Sequence, residues 1–242
     1  MTISASGESK LKPGLWVVGT PIGNLEDVTA RALDTLRKAD AVACEDTRKT
    51  ARLLARYEIR VRTLSYFEHS PEGRSREILD MIRGGSAVAL VSEAGTPAVS
   101  DPGARLVAAA HAAGLAVFAI PGPSAVTTAV SVAGFPADRF IFEGFLPKRP
   151  GKRRRLLKEL AEQDRTSVFF ESPHRIVDAL ADCVEAFGPR DAAIVREITK
   201  LHEEVIRGPL PRLLEAARAN PRGEFTVVVG GPSRLERSSG MG

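Results

Sequence analysis

Cysteine, histidine, tryptophan and long apolar runs are all scarce in this 242-residue chain, and each shortage closes off a class of function. The two cysteines, Cys44 and Cys183, stand far apart with no CxxC partner, so neither a disulfide framework nor a zinc site is implied and buried thiols are the simpler reading. His69, His111, His174 and His202 are scattered, no HExxH occurs, and metal catalysis finds no support. There is no GxxxxGK[ST] and no GxGxxG after a strand, which sets aside ATP hydrolysis, ordinary dinucleotide binding and the common Rossmann-type methyltransferase. The longest apolar stretch, residues 106–120, is broken by His111 and Gly114 and falls short of the roughly 18 to 20 residues that cross a bilayer. The N-terminus, MTISASGESKLKPG, has neither an apolar signal core nor an Arg-rich amphipathic pattern, so residues 1–12 are expected to form a disordered tail on a cytoplasmic protein.

What remains is the composition of a packed globular protein, 43% hydrophobic and 26% charged. Short β-branched runs ending at Gly, Pro or an acidic turn alternate with segments of helical period, the pattern of βαβ units. Strands are expected at 15–18, 41–44, 87–91 and 116–120, with helices at 28–38, 47–57, 74–83 and 103–113, giving a mainly parallel sheet. The texture changes after Pro121-Gly122-Pro123, and a domain boundary is placed near residue 123. The second domain, residues 124–232, is expected to carry helices at 124–133, 152–162, 176–187 and 210–219. Its strands fall at 140–143, 167–170, 192–195, 200–207 and 224–229, the last two suiting antiparallel pairing in a mixed sheet. The first domain thus spans residues 13–123, and residues 233–242 are expected to form a second disordered tail.

In an open α/β sheet, ligands bind where strands end at their carboxyl edge. Three loops there are rich in Gly and Pro: 19–24, 92–103 and 121–125. In the first, Gly19 and Gly23 allow a ligand to come close, and Asn24 or Asp27 can cap the next helix. The second, within VSEAGTPAVSDPG, holds more Gly, Pro, hydroxyl and carboxylate groups than a strand-to-helix connection needs, so function is favoured over a plain turn. The third places Ser124 at a helix N-terminus, suited to a carboxylate or phosphate.

The strings VVGTPIGNLED, CEDTRKTARLL, VSEAGTPAVSDPG, IPGPSA, FEGFLPKR, ESPHR and REITKLHEE follow one another in a single order. Together they resemble the small-subunit ribosomal RNA methyltransferase I family of the tetrapyrrole-methylase superfamily, over about residues 13–230. The resemblance implies a two-domain α/β tetrapyrrole-methylase-like fold with S-adenosyl-L-methionine (SAM) in a cleft between the domains. It also implies transfer of a methyl group to the ribose 2′-OH of cytidine 1402 in 16S rRNA of the small ribosomal subunit, by a homodimer. On this sequence it nominates Gly95, Thr96, Pro97, Val99, Asp101, Ser124 and Ala125 for the cofactor, with Phe170 and Glu171 from the second domain. Members usually carry Asp where this chain has Glu93, and many continue past the last strand with a helical extension.

A ribose hydroxyl is a weak acid, so a neutral lysine or a carboxylate could accept its proton; Lys200, Glu45 and Asp46 are the candidates. The competing reading has Glu45 and Asp46 capping a helix and Lys200 paired with Glu197. Arg48, Lys49 and Arg52 suit phosphate contact. Net charge is only +4, but Lys148, Arg149, Lys152, Arg153, Arg154, Arg155 and Lys158 crowd together, and RNA contact is favoured over a solvated helix face. Of the few aromatics only Phe145 lies near them, so recognition by shape and phosphate is expected rather than a stacking platform. Two rival functions stay open: a tetrapyrrole (uroporphyrinoid or corrinoid) C-methyltransferase, and a non-catalytic RNA-binding ribosome-assembly factor.

Overall fold

A computed structural model describes residues 10–67, 70–101 and 103–232, so both expected tails lie outside the described residues, apart from residues 10–12. The chain divides into two compact units, one ending at Pro123 and the other beginning at Ser124. Among the described residues no helix is long and apolar enough to cross a membrane.

The first unit runs β1 (Gly14–Val18), a 3-10 turn (Leu25–Asp27), α1 (Ala30–Lys38), β2 (Ala41–Cys44), α2 (Thr47–Arg56), β3 (Arg62–Ser65), α3 (Glu72–Arg83), β4 (Ala87–Val91), α4 (Gly103–Ala112) and β5 (Val117–Ile120). Its strands pair in the order β3-β2-β4-β1-β5, all parallel. The run AVALV of β4 is buried at every position, as a central strand covered on both faces must be. Alternate residues feed two cores. Leu15, Ala43, Leu64 and Leu90 pack with Ile78 and Leu106 of α3 and α4, while Val18, Val42, Ala89 and Val91 pack with Leu36, Leu53 and Leu54 of α1 and α2. Cys44 is buried among the latter.

The second unit comprises α5 (Ala125–Ala133), β6 (Phe140–Phe145), α6 (Pro150–Ala161), β7 (Thr166–Glu171), α7 (Ile176–Phe187), β8 (Asp191–Arg196), β9 (Glu204–Pro209), α8 (Leu210–Ala219) and β10 (Phe225–Val229). Its sheet runs β6-β7-β10-β8-β9, with β6 parallel to β7 and the other pairs antiparallel. Phe169, Leu180, Ile194, Leu213 and Val227 form its core, with Cys183 among them.

Three elements depart from expectation. Strand β3 was not foreseen, because RTLS buries only Leu64 and lies at the sheet edge. The first helix opens at Ala30, capped by the Thr29 hydroxyl, which accepts from Ala32 N–H at 3.1 Å; Asn24 instead caps the 3-10 turn ahead of it. The strand expected over 200–207 begins only at Glu204. Ahead of it Glu197 and Thr199 take positive φ of 51° and 64°, Lys200 N–H bonds to Glu197 C=O, and Glu203 N–H bonds to Lys200 C=O, so Lys200 lies in a tight turn.

Candidate active site

Strand β1 lies between β4 and β5, so the loops leaving all three strands emerge side by side at the carboxyl edge of the first sheet. They are bonded to one another. Thr20 N–H donates to Gly95 C=O at 2.9 Å, and Gly95 N–H returns to Thr20 C=O at 3.1 Å. The Thr20 hydroxyl adds contacts to the carbonyls of Ser92 and Gly95, both at 3.3 Å. From the second loop to the third, the Thr96 hydroxyl reaches Pro123 C=O at 3.5 Å. Gly19 lies so close to Gly122 that a Cβ built on it would stand 2.7 Å from the Gly122 Cα. Gly19 therefore serves backbone-to-backbone approach, not the ligand approach read from sequence.

The second loop is the most contorted. Gly95, Ala98 and Ser100 have φ of 83°, 71° and 60°, a region that side chains other than glycine's adopt at a cost of about 1–3 kcal/mol each. Such strain persists only where the surroundings hold it. Val99 is left exposed by this turn, whereas Gly95 and Pro97 are buried and Thr96 is half-buried.

Asp101 closes the loop beside a small pocket lined also by Glu45, Tyr66, Ser92 and Pro97. Burial first, and then repulsion from Glu45, push its carboxyl up to about 6; a hydrogen bond with Ser92 opposes the rise and Glu93 adds to it. Tyr66 and Thr20 were missed from sequence. The β-branched and aromatic run TLSYF was the available signal for Tyr66, since it follows directly on β3.

Asp46 is the N-cap of α2, its carboxylate accepting Arg48 N–H at 2.8 Å. That backbone bond holds its pKa below the usual carboxylate range, which makes it a poor proton acceptor. Glu45 is exposed at the rim of the Asp101 pocket. Lys49 is ion-paired with Glu93, and this hydrogen bond raises the lysine's pKa. Glu93 thus ties the second loop to α2. Arg48 and Arg52 are exposed on the same helix.

In the second unit, the Lys200 ammonium lies 3.0 Å from both Glu197 and Glu224. Burial alone would lower its pKa, but the bonds to Glu197 and Glu224 outweigh it and the net shift is upward. This is the ion-paired arrangement that competed with a role for Lys200 as a base. Glu171 has a fully buried side chain, accepts Ser172 N–H at 2.8 Å and lies 3.2 Å from Arg175; burial raises its pKa. These bonds fix the carboxylate, while its buried Oε2 accepts no hydrogen bond. Phe170 packs against Phe142 and Phe145. Ser124 is the N-cap residue of α5 but makes no side-chain cap bond, and Ala125 begins the helix.

Lys148, Arg149, Lys152, Arg154, Arg155 and Lys158 are exposed on or before α6. Arg153 does not belong with them. It is 5% exposed and its Nε lies 2.6 Å from Asp182 of α7. It shares the inward face of α6 with Leu157 and Leu160, at the helical spacing that would have revealed it.

The tetrapyrrole (corrin/porphyrin) methylase pattern matches residues 14–214. Solved structures with the same fold include a cobalt precorrin-4 methyltransferase of cobalamin biosynthesis (TM-score 0.68, 21% identity, covering 89% of this chain and 94% of that one). A uroporphyrin-III-C-methyltransferase from Thermus thermophilus is similar (TM-score 0.64, 20% identity, covering 90% and 94%). The chain belongs to the tetrapyrrole methylase family and is a methyltransferase by class. Relatives of far higher identity bear a more particular name, ribosomal RNA small subunit methyltransferase I. The Thermotoga maritima protein is 50% identical over 90% of this chain and 98% of its own length. The Mesorhizobium japonicum protein is 50% identical over 91% and 76%.

Proposed function

We propose that this chain is a SAM-dependent methyltransferase of small-subunit ribosomal RNA, acting on the ribose 2′-OH of cytidine 1402 in 16S rRNA, as a cytoplasmic homodimer. Half of the aligned residues are shared with relatives named for small-subunit ribosomal RNA, against about a fifth with the tetrapyrrole enzymes of the same fold, and this contrast carries the reading.

The interlocked loops fit the cofactor's chemistry. SAM pairs a cationic sulfonium and ammonium with an apolar adenine, and when bound it supplies the methyl group. Gly95, bonded through its backbone to Thr20, holds the loop in shape, Thr96 and Pro97 wall it, and Val99 presents an exposed apolar face. Asp101 offers a half-buried carboxylate to a cation, an interaction that strengthens where water is excluded. With Lys200 protonated and Asp46 capping a helix, neither is poised to take the ribose proton; Glu45, exposed beside the same pocket, is the base proposed. A carboxylate takes the proton of so weak an acid late in the transition state, so most of the rate comes from alignment of the attacking oxygen. Arg48 and Arg52 are proposed phosphate contacts in the first unit, and the exposed cations of α6 in the second.

The test incubates the protein with methyl-labelled SAM and small subunits lacking the modification, free 16S rRNA, or a uroporphyrinoid. Label on the ribose of subunit RNA is expected. Label on the tetrapyrrole, or no SAM binding, would overturn the reading.

A further inference from the structure

Phe145 is the most exposed aromatic side chain among the described residues, 58% open to solvent. Its exposure is built in. Strand β6 carries one extra residue between Phe142 and Phe145 relative to β7, which advances only from Val168 to Phe170. Gly144, at φ 63°, makes the bulge, and such an irregularity re-aims the side chain that follows. The ring is steadied by Phe170, 5.6 Å between centroids at 60°, which is itself held edge-on by Phe142 at 4.9 Å.

The backbone beyond the ring is fixed as well. The Arg175 guanidinium donates to Leu146 C=O at 2.8 Å and Pro147 C=O at 3.1 Å, and is ion-paired to the buried Glu171. Lys148 and Arg149 follow at once, then Lys152, all exposed. A rigid bare ring with cations beginning three residues further along the chain matches a strand whose phosphates are anionic and whose unpaired bases have open faces. An apolar protein partner would gain nothing from those charges.

We propose that Phe145 is a stacking post for an unpaired nucleobase of the RNA strand whose phosphates the neighbouring cations hold. This rests on the RNA reading above. It differs from the shape-and-phosphate recognition expected from sequence by adding one ring that grips a base face.

The experiment titrates the full chain into a short single-stranded RNA carrying 2-aminopurine, whose fluorescence falls on stacking. Wild type and Phe145→Trp are expected to quench it. Phe145→Leu, which keeps apolar bulk, is expected to lose the quench and bind about 5- to 150-fold more weakly, from about 1–3 kcal/mol per stacked base, with an unchanged salt dependence. Lys152→Glu is the separate check on the RNA reading: it should weaken binding and lower the salt slope by about 0.7 while leaving the quench at saturation intact. If Lys152→Glu behaves so and Phe145→Leu binds within twofold of wild type, the stacking post is overturned and the RNA reading stands. If Phe145→Leu instead alters the oligomeric state with RNA affinity unchanged, the ring is a protein contact and the proposal falls. If wild type binds no RNA at low salt, both fall.

Discussion

Asp101 is the residue whose environment makes the sharpest demand on pH. An aspartate in an unfolded chain titrates near 3.9, whereas here burial and the neighbouring Glu45 push it up to about 6. The native state therefore holds this proton more tightly than the unfolded one. Its ionisation costs stability nothing below about pH 4, an increasing amount between 4 and 6, and the full amount above 6. Asp101→Asn removes the cost, so the variant should be more stable than wild type above pH 6, with the advantage vanishing towards pH 4; urea unfolding across that range measures it. A cationic cofactor reverses the sign for binding. SAM affinity should rise between pH 5 and 7 in wild type and be flat in Asp101→Asn. Asp101→Ala should weaken SAM on the order of tenfold or more by calorimetry while the fold persists, as expected for losing a bond to a charged group. The contrast with Arg153 shows what single letters conceal. Both were read as ligand contacts, but only the spacing of Arg153 with Leu157 and Leu160, not its charge, tells that it faces inward.

Elements raise a different problem, since their value lies in what they touch. The glycines of the first and third loops meet backbone to backbone, and a methyl group on Gly19 has no side chain to push aside, only Gly122 itself. Gly19→Ala should cost about 1–3 kcal/mol in chemical denaturation and weaken SAM binding, because the third loop must move away. Helices α6 and α7 are joined by the buried pair Arg153 and Asp182, 2.6 Å apart. Asp182→Ala leaves a buried guanidinium without its partner and should cost about 3–5 kcal/mol, more than an exposed pair such as Arg155 and Glu159 contributes. Element positions were legible wherever apolar period was strong: β2, β4, α7 and α8 begin and end where the pattern says. They were not legible where contacts from distant residues decide. Strand β3 holds its place by pairing with β2, and the turn around Lys200 by Glu203 accepting from Thr199 N–H, neither of which leaves a periodic trace.

At the scale of the molecule, the alternation of strands and helices was enough to give a parallel sheet first and a mixed one after it, because parallel neighbours need crossovers and hairpin partners do not. The location of the loops at one sheet edge was also legible; their mutual bonding was not, since it depends on β1 falling between β4 and β5. Charge acts at this scale too. If four exposed cations of the α6 segment neutralise phosphates, RNA affinity should fall with salt at a log–log slope of about −3, from about −0.7 per contact on single strands. A filter-binding series over ionic strength reads it directly.

The partners that lock the loops are distant in the chain: Thr20 and Gly95 lie 75 residues apart, Thr96 and Pro123 27 apart. Contacts of this separation are slow to appear in folding. During synthesis, a nascent chain that ends before β4 has neither the strand that joins β1 to β2 nor a Gly95 for Thr20 to meet. The loop edge becomes a single bonded surface only when the ribosome has released residues as far as Pro123.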